Sequence, residues 1–174
     1  MFAILKRKMQ DVQTLSALAT AAEQVARGAG RVKPGSEHFV LAALGLPDGS
    51  AGEVFAALGL SEAGFREALV SQQRQALARV GVELLAEPNE SAPRPPAAPA
   101  PTLYEAEASG QALVQRLAAS APARAPRALR GADVLLAVAQ EEHSVAARAF
   151  RLLGVGSQAL GEAARGVLAP EAAH

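Results

Sequence analysis

The chain of 174 residues is half hydrophobic but only 3% aromatic, with five Phe, one Tyr and no Trp, and alanine fills about a quarter of it. Its 17 basic residues balance 17 acidic ones, so no net field draws it to nucleic acid or an anionic membrane. The absence of cysteine excludes disulfides, thiolate metal sites and a cysteine nucleophile, and fits a reducing compartment. No apolar region follows Lys6, Arg7 and Lys8, so no signal peptide is expected, and no apolar run approaches the roughly 18 residues of a membrane span. A soluble, cytoplasmic protein is the expectation.

β-Branched and aromatic residues are sparse and clean period-2 alternation is missing, so helices are predicted to carry the fold. Residues 1–10 read as an N-terminal segment. From Asp11 to Arg27, Val12, Leu15, Leu18, Ala19, Ala22, Val25 and Ala26 recur at three- and four-residue spacing, the stripe of an amphipathic helix, which Gly28 and Gly30 stop. Ser36 is predicted to cap a short buried helix over Phe39, Val40, Leu41, Ala42, Ala43 and Leu44. Ser50 with Glu53 forms a capping box for a third helix ending at Leu58 and Gly59. Ser61 opens a fourth that carries Phe65, Leu69 and Val70 and is predicted to continue to Val80 before Gly81 ends it.

Pro88, Pro93, Pro95, Pro96, Pro99 and Pro101 remove backbone donors and exclude a helix, which makes 88–101 a semi-rigid linker. Thr102 with Glu105 predicts the start of a helix running through Leu113, Val114 and Leu117 to about Ser120. The stretch Pro122 to Arg130 is broken by prolines and carries Arg124, Arg127 and Arg130, which read as a solvated basic loop without aromatic residues for stacking on nucleic acid. Short helices are predicted around Val134 to Val138, over Val145 to Leu153 and over Gln158 to Leu168, followed by a tail, 169–174.

The two halves share one order of elements. Gly35-Ser36-Glu37-His38-Phe39 matches Gly131-Ala132-Asp133-Val134-Leu135 at a separation of about 96, and Leu58-Gly59-Leu60 matches Leu153-Gly154-Val155 at about 95. An all-α fold is therefore expected, with about eight helices in a pseudo-twofold pair of four-helix repeats. The repeats span 11–87, with its helical extension, and 102–168, and together form one domain.

Gly35-Ser36-Glu37-His38-Phe39-Val40-Leu41-Ala42-Ala43-Leu44 resembles the Gly-Thr-Glu-His-Leu-Leu-Leu-Gly-Leu signature of the amino-terminal domain of Clp unfoldase ATPases, and Val145-Ala146-Ala147-Arg148 followed by Leu153-Gly154-Val155 is similar to a second segment of that family. The resemblance covers about Asp11 to Gln72 and Thr102 to Leu168. It implies a non-catalytic protein- or peptide-recognition domain: an adaptor, decoy or accessory factor whose partners are Clp ATPase or protease components or their substrates. No Gly-Lys pair exists, so a Walker A loop is absent, and a free-standing domain without ATPase modules is expected. Other readings are sequestration of cyclic peptide antibiotics that target Clp ATPases, and a degenerate scaffold or homodimerisation domain. The sequestration reading would gain from an apolar patch joining Phe2 to the Gly81 to Leu85 region.

In the ClpC branch the Glu of each signature binds phosphoarginine-marked proteins, which implies Glu37 and Asp133 as anchors here, with Ser36 beside the first. A carboxylate can accept two parallel N–H bonds from a guanidinium, and amides at a helix N-terminus suit phosphoryl oxygens. The plainer role for Glu37 and Ser36 is to complement the helix dipole and cap the helix. The second repeat carries Ala132, Asp133 and Val134 where the signature has Thr-Glu-His, so it loses a hydroxyl and an imidazole. Phe2 is a further peptide-binding candidate, because family members begin with Met-Phe. His38 reads as a packed structural residue, and His143 and His174 are not at metal-ligand spacing. No nucleophile elbow is present and Glu141-Glu142 read as a solvated edge, so no catalysis, metal or cofactor is expected.

Overall fold

The computed structural model describes residues 2–79 and 107–169, which contain nine helices and no strand. The all-α expectation holds for these residues, and none of their helices is long and apolar enough to cross a membrane. The proline-rich linker, Val80 to Leu85, the Thr102–Glu105 box and residues 170–174 of the tail lie outside the described residues.

α1 (Phe2–Gly28) is one continuous helix that absorbs residues 2–10, predicted as a separate segment. It buries Leu18, Ala22 and Ala26 at four-residue spacing against α2 (Ser36–Leu44). Its stop follows the glycine argument: Gly30 takes φ 71°, and Arg31 N–H returns to Ala26 O at 2.8 Å. α2 is buried along nearly its whole length, from Ser36 to Ala43. α3 (Ser50–Ala57) and α4 (Glu62–Arg79) follow. Ser61 does cap α4, accepting from Gly64 N–H at 3.1 Å. Ser50 does not cap α3: Gly49 holds the cap position at φ 66°, and Ser50 turns its hydroxyl elsewhere.

α5 (Ala108–Ala119) begins after Glu107, whose extended backbone (φ −60°, ψ 160°) rules out a helix continuous from Thr102. The stretch read as a broken loop contains a one-turn helix, α6 (Ala121–Arg124), which explains nine helices where about eight were expected. α7 (Gly131–Val138), α8 (Val145–Leu152) and α9 (Ser157–Leu168) complete the chain.

Three pairs of helices begin 95 residues apart: Ser36 and Gly131, Ser50 and Val145, Glu62 and Ser157. Burial keeps the same register. Phe39 and Val134, Val40 and Leu135, Ala43 and Val138 are all fully buried pairs at that separation. α3 and α8 each end in the same motif, with Leu60 N–H bonded to Phe55 O at 2.8 Å, Val155 N–H to Phe150 O at 2.9 Å, and Gly59 and Gly154 left-handed at φ 67° and 79°. The separation of 96 read from the glycines of the two signatures is thus displaced by one: Gly35 is the N-cap of α2, whereas Gly131 is the first residue inside α7.

Packing crosses between the halves. α2 lies against α7, α3 against α7 and α9, and α8 against α2 and α4. At the centre Phe55, Phe65 and Phe150 make a three-ring cluster with centroids 5.9, 5.9 and 4.8 Å apart. Alanines interleave with leucine and valine around it, Ala42, Ala43, Ala51, Ala132 and Ala137 among them, which lets these short helices approach closely. The limit is reached at Gly131, where a Cβ would sit 3.0 Å from both Ala43 O and Ala51 Cβ. Val at this position overpacks the junction of α2, α3 and α7, and we expect Gly131→Val to lower stability by roughly 1–3 kcal/mol, read as a drop in thermal midpoint by circular dichroism.

Candidate functional site

The N-terminus of α2 is built on a close approach. Gly35 is extended, and a Cβ there would fall 2.6 Å from Glu37 Oε2, so only glycine lets the Glu37 carboxylate fold back over the cap. Gly35 N–H donates to His38 Nδ1 at 2.9 Å, which makes that nitrogen an acceptor and places the neutral ring's proton on Nε2. The predicted Ser36 cap is not formed. Ser36 is the first residue within the helix, its N–H donates to Ser109 Oγ of α5 at 3.3 Å, and its own Oγ is buried without a hydrogen-bond partner. Glu107 N–H donates to Pro34 O at 3.0 Å, holding the start of α5 against the same end of α2.

Glu37 is 5% exposed, and its Oε2 also lacks a hydrogen-bond partner. Glu141, read from sequence as a solvated edge, is buried instead: Oε1 meets Arg116 Nη1 at 3.3 Å and Oε2 is unpartnered. Burial pushes the Glu37 carboxyl above its ordinary value, the residue's own N–H opposes this, the Glu107 carboxylate adds to the rise, Arg31 opposes it, and Glu141 adds again. Burial likewise holds the His38 imidazole below its ordinary value, so the 3.3 Å approach of Nδ1 to Glu37 Oε1 is not an ion pair at neutral pH. Buried oxygens with no donor are rare, and each costs on the order of 1–3 kcal/mol unless something supplies one. Chemically, this end of α2 holds two buried side-chain oxygens, Ser36 Oγ and Glu37 Oε2, that no donor answers.

The N-terminus of α7 is the opposite case. Asp133 accepts both arms of the Arg127 guanidinium, Nη1 at 2.6 Å and Nη2 at 2.7 Å, and Arg130 N–H at 2.9 Å. The hydrogen bond to Asp133 raises the Arg127 pKa further. The first amides of α7 are taken from across the fold, Gly131 N–H by Asp48 Oδ2 at 2.8 Å and Ala132 N–H by Ser50 Oγ at 2.9 Å. Arg124 pairs with the buried Asp11 at 3.3 Å, and Asp11 also accepts Leu129 N–H at 2.7 Å. Arg130 lies 3.9 Å from Asp48. The three arginines read as a solvated loop thus each face an aspartate of this chain. In the 95-residue register Asp133 is the counterpart of His38, since each reaches back from the third helical position to its N-cap N–H, and Ala132 is the counterpart of Glu37.

The four residues picked from sequence are not brought together. Glu37 and Ser36 share the start of α2. Asp133 lies beyond the other end of that helix, because Gly131 abuts Ala43. Phe2, 91% exposed, begins α1, about 39 Å along the helix from Gly28 at 1.5 Å per residue. Sequence reasoning missed Asp11, Asp48, Arg127 and Glu141. Asp11 carried a signal, four residues before Leu15 in the buried stripe, where a charge requires a partner. No group of three or more His, Asp or Glu among the described residues could hold a metal ion. No protein-family model and no curated protein matches the chain.

The raised pKa of Glu37 means that the fold favours its protonated form. Its stabilising contribution is present below the ordinary value of 4.5 and is lost as pH rises through the higher folded value. Glu37→Gln should therefore raise the thermal midpoint at pH 7.5 by a few degrees, of the order that ~1 kcal/mol produces in a domain of this size, with the gain shrinking toward pH 4. Melts of both proteins across that range check the sign.

Proposed function

We propose that this chain is a non-catalytic protein-recognition domain of the Clp amino-terminal type, a duplicated four-helix unit that takes an arginine side chain of a protein segment against Glu37 at the start of α2. The duplication is supported by the three helix starts 95 residues apart, the matched ends of α3 and α8, and the exchanged packing of α3 and α8 onto the other half. The Clp resemblance rests on the Gly35-Ser36-Glu37-His38 signature, which falls at the start of the buried α2.

The observation that carries the site is the contrast between two carboxylates. Asp133 is filled by the Arg127 fork, an internal picture of a guanidinium bound by this fold, while Glu37 keeps an oxygen with no donor. Asp133 is therefore a structural residue in this reading, and recognition falls to Glu37, with Ser36 Oγ and Glu141 beside it. The N–H groups of Gly35, Ser36, His38 and Phe39 have partners already, so a phosphoryl group on the arginine gains Ser36 N–H only by displacing Ser109. Such a domain would serve as an adaptor or decoy in a Clp protease system, selecting arginine-bearing segments.

Titration calorimetry with arginine and phosphoarginine, each within a short peptide, tests this. We expect saturable binding that Glu37→Gln weakens at least roughly tenfold, the loss of one charge-assisted fork, and that a lysine-substituted peptide does not reproduce. Binding indifferent to Glu37→Gln, or no binding of either peptide, overturns the assignment.

A further inference from the structure

Outside that site, most of the exposed large apolar residues among the described ones lie on α1. The rotation of this helix is set from within: Arg7 Nη1 donates to Ala121 O at 2.9 Å, Asp11 binds Leu129 and Arg124, and Leu18 is fully buried. The opposite side then carries Phe2, Leu5, Met9 and Val12, 91%, 59%, 58% and 66% exposed, at the alternating three- and four-residue spacing of a coiled-coil seam. Their combined apolar area is on the order of 400–500 Å², in the upper part of what an ordinary monomer exposes. Lys6 and Lys8, both exposed, flank this stripe, one on each side. Beyond Val12 the face turns small and polar, and Gln13, Ser16, Ala17, Thr20 and Gln24 line a shallow groove.

We propose that the outer face of α1 is a docking track for an acidic amphipathic helix of a partner protein. Such a helix would lay its apolar edge on Phe2, Leu5, Met9 and Val12 and its carboxylates beside Lys6 and Lys8. It would then cross Ser16, Ala17 and Thr20, where small side chains let two helix backbones approach and Gln13 and Gln24 offer amides. A lipid surface can use the first half of the track but has no use for the second, which is polar. A second copy of the chain is disfavoured by charge. Lys6 and Lys8 are the exposed charges on residues 2–13, so antiparallel pairing about Met9 sets lysine near lysine.

The test uses the full chain and a labelled synthetic three-heptad helix with leucine at the seam positions and glutamate on the flanks, followed by fluorescence anisotropy. Saturable binding is expected, weakening with added salt and falling at least roughly tenfold in both Leu5→Asp/Met9→Asp and Lys6→Glu/Lys8→Glu. A peptide with lysine in place of glutamate should not bind. All four positions are exposed, and unchanged thermal melts show that the variants fold. Glu37→Gln should leave this binding intact, which separates it from the arginine site. No saturable binding, equal binding of the lysine peptide, or indifference to the substitutions overturns the proposal. So does preferential binding of phosphatidylserine vesicles through the same residues, or a wild-type dimer in sedimentation that Met9→Asp makes monomeric.

Discussion

The structure depends on how closely α2, α3 and α7 can approach one another. Two short helices buried nearly all round must satisfy their apolar surface against each other, and Gly131, with Ala43 and Ala51 facing it, leaves no room for even one added methyl group without movement. This contact sets the places of the charged groups as well. With the start of α7 pressed against the end of α2, the helix N-terminus that carries Asp133 and the one that carries Glu37 lie at opposite ends of the pair. A side chain at the first position of α7 would force α2 or α3 to give way, at the place where Asp48 and Ser50 hold its first amides.

Electrostatics then separates the two ends. At α7, a buried helix start has its donors answered by Asp48 and Ser50, and its carboxylate by Arg127 and Arg130 N–H, so the polar groups named there are paired. The nearby Asp11–Arg124 pair ties α1 to the segment before α7. Its charges are offset by a second donor, Leu129 N–H, and by further bonds from Arg124 to Leu117 O. At α2 the N–H groups of Gly35, Ser36 and His38 are answered, but Ser36 Oγ and Glu37 Oε2 are not. Native folds rarely leave buried polar atoms unanswered, and the difference between the two ends is what supports the proposed recognition at Glu37.

The helical character, the apolar stripe of α1, the Ser61 cap and the Leu-Gly-hydrophobic stops of α3 and α8 were legible because each rests on neighbours a few residues apart, within reach of local backbone geometry. Gly59 and Gly154 take left-handed turns that the sequence announces. The caps of α2 and α3 differ from expectation for separate physical reasons: Ser50 spends its hydroxyl on Ala132, 82 residues away, whereas Ser36 stands one residue inside α2 because Gly35 takes the cap position, its N–H held by His38 and its missing side chain leaving room for the Glu37 carboxylate. The same limit explains the basic loop. Nothing within ten residues of Arg124 foretells Asp11, and the prolines around it suggested solvent.

The sequence by itself determined that the described chain is helical, where most helices stop, and that Glu37 stands at the start of an apolar helix, because periodicity and turn chemistry are local. Only the tertiary structure decided which carboxylate keeps an oxygen without a donor. Whether Asp133 or Glu37 is answered by an internal arginine depends on long-range placement of the 121–130 segment beside α1 and α7. The one-residue difference between Gly35 and Gly131 in helix position, invisible in aligned letters, turns Asp133 into the counterpart of His38 rather than of Glu37.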